Sequence, residues 1–201
     1  MAGKRETKRE DLKARLIEAA RNRIILDGFA KLRARDVTQD AGCALGGLYT
    51  AFADLDELVL HVNSSTLAMI EASLTPALAG KEDPVEQLRI LARSYLKFAR
   101  ENRNLWAALF EHKLPDGVAA PDWHLEKHMF LIQFIARPLA RIQPDLKEED
   151  LQVRALTLFS AVHGIVSISL EGRFVGIPAT RLDGEVDDFV TLLAAGSRTR
   201  S

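Results

Sequence analysis

Residues 34–52 read Ala34-Arg35-Asp36-Val37-Thr38-Gln39-Asp40-Ala41-Gly42-Cys43-Ala44-Leu45-Gly46-Gly47-Leu48-Tyr49-Thr50-Ala51-Phe52. Ala34, Val37 and Ala41 fall three and four apart, which puts them on one side of a short helix. Gly42 follows at once, where a chain leaving a right-handed helix often takes a positive φ. A second short helix is predicted from Leu45 to Ala51, with Leu45, Leu48 and Phe52 turned inward. The small residues Ala41 and Gly42 let the two helices cross closely and steeply. The pattern is a helix-turn-helix, whose second helix projects outward and can enter a DNA major groove.

Working upstream, Leu16, Ile17, Ala20 and Ile24 make the apolar stripe of a helix from Asp11 to Asp27, ended by Gly28. Residues 1–10 are polar and mix both charge signs, which predicts a flexible basic arm. Its Lys4, Arg5, Lys8 and Arg9 either follow DNA phosphates or form a solvated tail.

Downstream, Leu55, Leu58, Val59, Val62, Ile70 and Leu74 predict a long amphipathic helix, punctuated by Pro76, Gly80 and Pro84. Helices follow on Val85–Ala99 and around Leu105–Phe110. Another begins at Asp122, read as its N-cap, and carries Pro138 near its end. Residues Glu148 to Glu171 are apolar on most of the circumference, so this helix buries two sides, one of them against a second subunit. A last helix runs over Glu185–Ala195, after a turn at Asp183-Gly184, and 198–201 is a tail. No useful strand alternation occurs, so the fold is all-α with about nine helices. Residues 11–54 form the helix-turn-helix domain and 55–197 a second helical domain.

The 201 residues carry a net charge of −1. Residues 1–52 hold eleven Lys and Arg against seven Asp and Glu, so +4, and the remainder is −5. A basic end on an acidic body suits phosphate contact at one end. The sequence has no run of 18 apolar residues and no apolar core near its start, so neither a membrane span nor a secretion signal is expected. Cys43 is the single cysteine, which excludes an internal disulfide and makes a cytoplasmic location the default. In the turn it reads as a small hydrophobe, with a redox-sensitive thiol the alternative.

The stretch resembles the DNA-binding domain of the TetR family of transcriptional regulators. The matching residues are Ala19-Ala20, Gly28-Phe29, Asp36-Val37, Ala41-Gly42, Gly46, Leu48-Tyr49, Phe52 and Leu58. The resemblance implies DNA contact by Arg33, Arg35, Ala44, Leu45, Gly46, Gly47, Tyr49 and Thr50, with the Tyr49 hydroxyl reaching a phosphate. Four positions depart from the family pattern. Ala44 replaces a capping serine, which costs about 1 kcal/mol. Gly47 stands for a threonine or serine, and each glycine of the Gly46-Gly47 pair costs about 0.8–1 kcal/mol against alanine. Either the pair permits close backbone approach to DNA, or it marks a helix that DNA orders on binding. Ala51 and Leu55 replace a histidine and a lysine that often meet phosphate. Further on, Phe159-Ser160-Ala161-Val162-His163-Gly164 is similar to the Trp-His-Gly motif of one branch of the family, with phenylalanine for tryptophan.

Trp106, Phe110, Phe130, Phe134, Phe159 and His163 are candidates for an apolar small-molecule pocket, or simply for the core. His124 and His128 share a helix face at metal-ligand spacing, with His112 as a possible third ligand. Leu125 stands where a metalloprotease helix needs its glutamate, and a solvated face is the preferred reading. No metal or cofactor is expected. Neither a phosphate-binding loop nor a nucleophile motif is present, so an enzyme is not expected.

The sequence therefore predicts a homodimer that binds a palindromic double-stranded DNA operator and answers to a small-molecule effector, without a membrane partner. The resemblance implies a repressor. The interface is expected on Leu158, Val162, Val166, Val190 and Leu193. The alternative is a helical small-molecule-binding protein with weakened or lost DNA binding.

Overall fold

The structure, a computed structural model, describes residues 2–172 and 174–196, with side chains from residue 6 onward. Among these residues the chain forms nine α-helices and no strand. They are α1 (Ala2–Asp27), α2 (Ala34–Asp40), α3 (Leu45–Ala51), α4 (Leu55–Leu78), α5 (Pro84–Glu101), α6 (Arg103–Glu111), α7 (Asp122–Ile142), α8 (Glu148–Leu170) and α9 (Leu182–Gly196). A short 3-10 helix, Phe29–Lys31, joins α1 to α2. The tail at 198–201 and the side chains of Lys4 and Arg5 lie outside the described residues.

The first correction to the sequence reading is at the start. Residues 2–10, expected as a flexible arm, are the opening turns of α1. Mixed charge is shared by disordered arms and exposed helices. Here Lys, Arg and Glu dominate, all good helix formers. Opposite charges one turn apart tie the segment to the next, with Glu10 3.6 Å from Lys13 and Asp11 3.2 Å from Arg15.

The chain divides into two compact units, neither of them split at Asp54. The first comprises Met1–Ala68 and Asn102–Leu125. Its core joins Leu16, Ala20 and Ile24 of α1, Val37 of α2, Leu48 and Phe52 around α3, Leu58 and Val62 of α4, and Leu105 and Ala108 of α6. The helix-turn-helix alone is too small to close this core, so the first half of α4 and all of α6 complete it. Polar contacts follow the same lines. Asn104 donates to the Ile25 carbonyl at 2.8 Å, and His112 meets Asp56 at 3.0 Å.

The second unit comprises Met69–Glu101 and Glu126–Ser201, built on α5, α8 and α9. Leu182, Val186, Val190 and Ala194 recur every four residues on α9 and are all buried. Helix α9 therefore starts earlier than predicted. Asp183-Gly184 is its first turn rather than the turn before it, because buried Leu182 anchors the start and Arg100 holds Asp183 at 2.8 Å. Asp187, one turn on, receives Arg93 Nε at 2.6 Å and Arg89 at 3.1 Å. Burial works against its charge, yet these hydrogen bonds outweigh it and hold its carboxyl below the ordinary value.

Helix α8 has two apolar sides. Leu151, Ala155, Leu158, Val162 and Val166 are buried within the chain, while Val153, Leu156 and Ile168 are exposed. Four of the five residues expected at the dimer interface are therefore core: Leu158, Val162 and Val166 on α8, and Val190 on α9. Only Leu193 is exposed, beside Leu192. The stripe with the tightest helical register packs on the chain's own α5 and α9, leaving the looser set outside. By length and composition α8 is the one helix, among the described residues, that could cross a bilayer.

Candidate nucleic-acid interface

The turn between α2 and α3 is closed by backbone bonds. Gly42 takes φ +66°, its amide donates to the Gln39 carbonyl at 3.1 Å, and the Cys43 amide reaches Thr38 at 2.9 Å. These paired bonds are a Schellman closure, which requires the left-handed residue that glycine supplies. Helix α1 then clamps the end of α2 from outside. Arg15 donates to the Ala41 carbonyl at 2.6 Å, and Arg23 makes two bonds to Asp40, at 2.5 and 2.7 Å. The Arg23 hydrogen bond holds the Asp40 carboxyl below its ordinary range.

Helix α3 spans the residues predicted for it. Ala44 is its N-cap, extended at ψ 158°, and no side chain caps the first amides. The next helix shows the contrast. Asp54 accepts from the Glu57 amide at 2.8 Å, while Glu57 reaches back to the Ala53 amide at 2.5 Å.

The two sides of α3 differ sharply. Leu48, Ala51 and Phe52 are at most 2% exposed. Leu45, expected inward, is 38% exposed, and Tyr49 is 58% exposed. Residue 45 opens the helix one turn before Tyr49, so it shares the outer face. Gly46 and Thr50 are exposed too, the Thr50 hydroxyl donating to the Gly46 carbonyl at 3.0 Å. Arg33, the N-cap of α2, and Arg35 are both exposed. Gly47 differs from its neighbour. A Cβ on Gly46 would meet open space, whereas one on Gly47 would come 3.1 Å from Cys43 Sγ and 3.8 Å from Leu12. Its missing side chain serves close packing.

Behind α3, Phe52 lies against His61, ring centroids 5.4 Å apart, and His61 stacks on Trp123 at 4.6 Å. Burial pushes the His61 pKa down, with Glu57 pulling the other way. His124, read from sequence as part of a solvated face, is buried and shares a hydrogen bond with Ser64 at 2.9 Å. Burial also lowers the His128 pKa. Among the described residues no group of three or more His, Cys, Asp or Glu is placed to hold a metal.

The six pocket candidates fall into three pairs. Trp106 and Phe110 touch within the first unit, centroids 5.6 Å apart. Within the second unit, Phe130 meets Phe134 edge-on and Phe159 stacks on His163 at 5.9 Å. Tyr95 joins this last pair, its hydroxyl 2.7 Å from His163 Nδ1 and its ring edge-on to Phe159. Tyr95 lies on the stripe of Val85, Leu88, Leu91, Ala92 and Ala99 that marks the predicted Val85–Ala99 helix. The signal for its polar role was a hydroxyl on that stripe. An open surface groove of about 510 Å³ between α1 and α2 is lined by Arg15, Glu18 and Asp40, and by none of the six candidates.

The family pattern for a tetracyclin repressor-like C-terminal domain matches residues 88–194, more than half of the chain. The chain belongs to the TetR family. The match covers α5 to α9 and does not report the Trp-His-Gly branch, which remains a resemblance carried by His163-Gly164. No curated protein matches the chain. Among solved structures, RolR in complex with resorcinol is 20% identical, with 98% of this chain and 97% of that one covered and a TM-score of 0.71. A protein of unknown function from Rhodococcus sp. RHA1 is 24% identical, with 93% of each chain covered and a TM-score of 0.67. A TetR transcriptional regulator from the same organism is 16% identical, covering 92% of this chain and 97% of its own, with a TM-score of 0.63. At these identities the likenesses show the fold. They agree on an all-helical TetR-type architecture.

Proposed function

We propose that this TetR-family protein is a ligand-responsive DNA-binding repressor. A homodimer binds a palindromic operator, and a small-molecule effector releases it. The observation that supports this reading best is the division of α3. Leu48, Ala51 and Phe52 fix it to the core, while Leu45, Gly46, Tyr49 and Thr50 face outward next to Arg33 and Arg35. An outward helix flanked by arginines suits base edges at the centre and phosphates at the sides. One such helix reads few base pairs, so two copies spaced by about 34–36 Å, one DNA turn, make up the site.

The exposed Leu156, Ile168, Leu192 and Leu193 of α8 and α9 supply the apolar surface for the second subunit. For the effector, the Tyr95–His163 hydrogen bond beside Phe159 offers a polar pair against an aromatic wall. RolR is named with resorcinol, and a hydroxylated aromatic compound would suit this wall. Effector and DNA oppose each other by reciprocal linkage. The protein would act in the cytoplasm without catalysing a reaction.

A second reading has one observation in its favour. The uncapped, two-glycine start of α3 weakens the helix, as expected of a small-molecule-binding protein whose DNA function has decayed. Titration with random duplex DNA and with the inverted repeat upstream of the gene separates the two. The regulator binds both at low salt and prefers the repeat. Absence of binding to either leaves the second reading.

A further inference from the structure

We infer that the N-terminal turns of α1 are a rigid DNA-contacting strut, in which Lys8 and Arg9 hold phosphates beyond the reach of the helix-turn-helix. The inference rests on the DNA-binding reading above and adds an element to it. Near one end, α1 is fixed to α6, through Asn104 on the Ile25 carbonyl at 2.8 Å. Nearer the other it is fixed to α3. A Cβ on Gly47 would lie 3.8 Å from Leu12, and the Lys13 ammonium sits 5.9 Å over the Phe52 ring. The helix continues without a break past this contact, and residues 6–11 are all exposed.

The charges on this overhang are sorted. At about 100° per residue, Lys8 and Arg9 lie about 40° and 60° to either side of the direction in which Leu12 points at α3. Glu6 and Glu10 lie about 120° and 160° away from it. At about 1.5 Å per residue, Lys8 stands about 6 Å beyond Leu12 along the axis. The cations thus extend the side of α1 that carries α3, and the carboxylates turn away. Nearby carboxylates are also engaged, Glu10 with Lys13 at 3.6 Å and Asp11 with Arg15 at 3.2 Å. Among the described residues Lys8 and Arg9 make no ion pair. Two cations at fixed spacing beside a groove-entering helix match the regularly spaced charge of a nucleic-acid backbone. They carry no base-reading geometry.

The test is the salt dependence of binding by the full chain, on an inverted-repeat duplex and on random duplex. The variant Lys8→Gln/Arg9→Gln keeps good helix formers. It should lower the log–log salt slope by roughly 1.8 for each reading head engaged, equally on both duplexes and with unchanged base preference. Glu10→Pro, which breaks the helix between the cations and Leu12, should lose the same slope although both charges remain. Thermal melts confirm that each variant is folded. An unchanged slope in the double variant, while the wild type binds DNA, overturns this inference alone. A wild-type slope in Glu10→Pro shows that a flexible arm suffices and overturns the strut. A wild type that binds no duplex removes both this inference and the regulator reading.

Discussion

Cys43 Sγ lies 3.1 Å from the point where a Cβ on Gly47 would sit, and Cys43 Cβ lies 3.3 Å from it. Taken singly, Gly47 is a departure from the family pattern and Cys43 a small hydrophobe in the turn. In space they form one adjustment, in which the sulfur occupies the volume that a larger residue at position 47 would claim. Gly47→Ala alone should therefore fall short of the usual helix-propensity gain of about 0.8–1 kcal/mol. In a Cys43→Ala background, which removes the sulfur and leaves the 3.3 Å Cβ contact, more of that gain should appear. A double-mutant cycle by urea denaturation reads the coupling, expected at about 0.5 kcal/mol or more. Equal gains in both backgrounds would show that the contact carries no energy.

Arg33 should supply a phosphate contact. Arg33→Ala is expected to reduce the salt slope by roughly 0.9 for each head engaged. Tyr49→Phe should weaken operator and random duplex by a similar factor, because a phosphate contact has no sequence preference. Loss confined to one operator base pair would instead make Tyr49 a base reader.

Outward and inward substitutions on α9 should separate assembly from folding. Leu193→Glu, and Leu156→Glu on α8, place charge on side chains that are 42% and 40% exposed, and should shift dimer to monomer. Val190 is 1% exposed, so Val190→Glu buries an uncompensated charge and should destabilise the fold itself, by about 3 kcal/mol or more. Sedimentation and thermal melts distinguish the two effects. Persistent dimers in both outward variants would place the second copy elsewhere.

Acid should destabilise the protein in a defined window. Burial holds His61, His128 and His163 below the ordinary histidine value of 6.5. The unfolded chain then binds more protons than the folded one as pH falls through 6.5. Stability is full above that value and declines below it, down to the folded pKa of each histidine. Asp40 and Asp187 are shifted below 3.8, so their contributions are lost only at still lower pH. Melting curves between pH 8 and 5 should show the decline, and His61→Gln should make it shallower. A flat profile would contradict the assignment.

The helix-turn-helix was legible because period and punctuation agreed: Val37, Gly42 and Leu48 each allow one placement. Helix α8 was legible as a helix but not in rotation. With leucine, valine and isoleucine on most of its circumference, composition does not say which stripe meets α5 and α9 and which is left exposed. The first ten residues misled for a related reason, since charge composition alone does not tell a solvated helix from a solvated coil. His124 and Ser64 are sixty residues apart, and no local pattern marks their contact. The Cys43–Gly47 adjustment was hidden because neither residue alone marks the contact between them.

The core under α3 is assembled from two separated lengths of chain, with Leu105 and Ala108 arriving from α6. The helix-turn-helix is therefore not a detachable module. A hybrid regulator spliced after residue 54 would pack Leu16 and Ile24 into a core completed by a foreign α4 and α6 in place of Leu58, Val62, Leu105 and Ala108. A working graft needs two cuts and two inserts, residues 1–68 together with 102–125. Under the proposed function, a change of operator preference would come more readily from point substitutions on the outer face of α3.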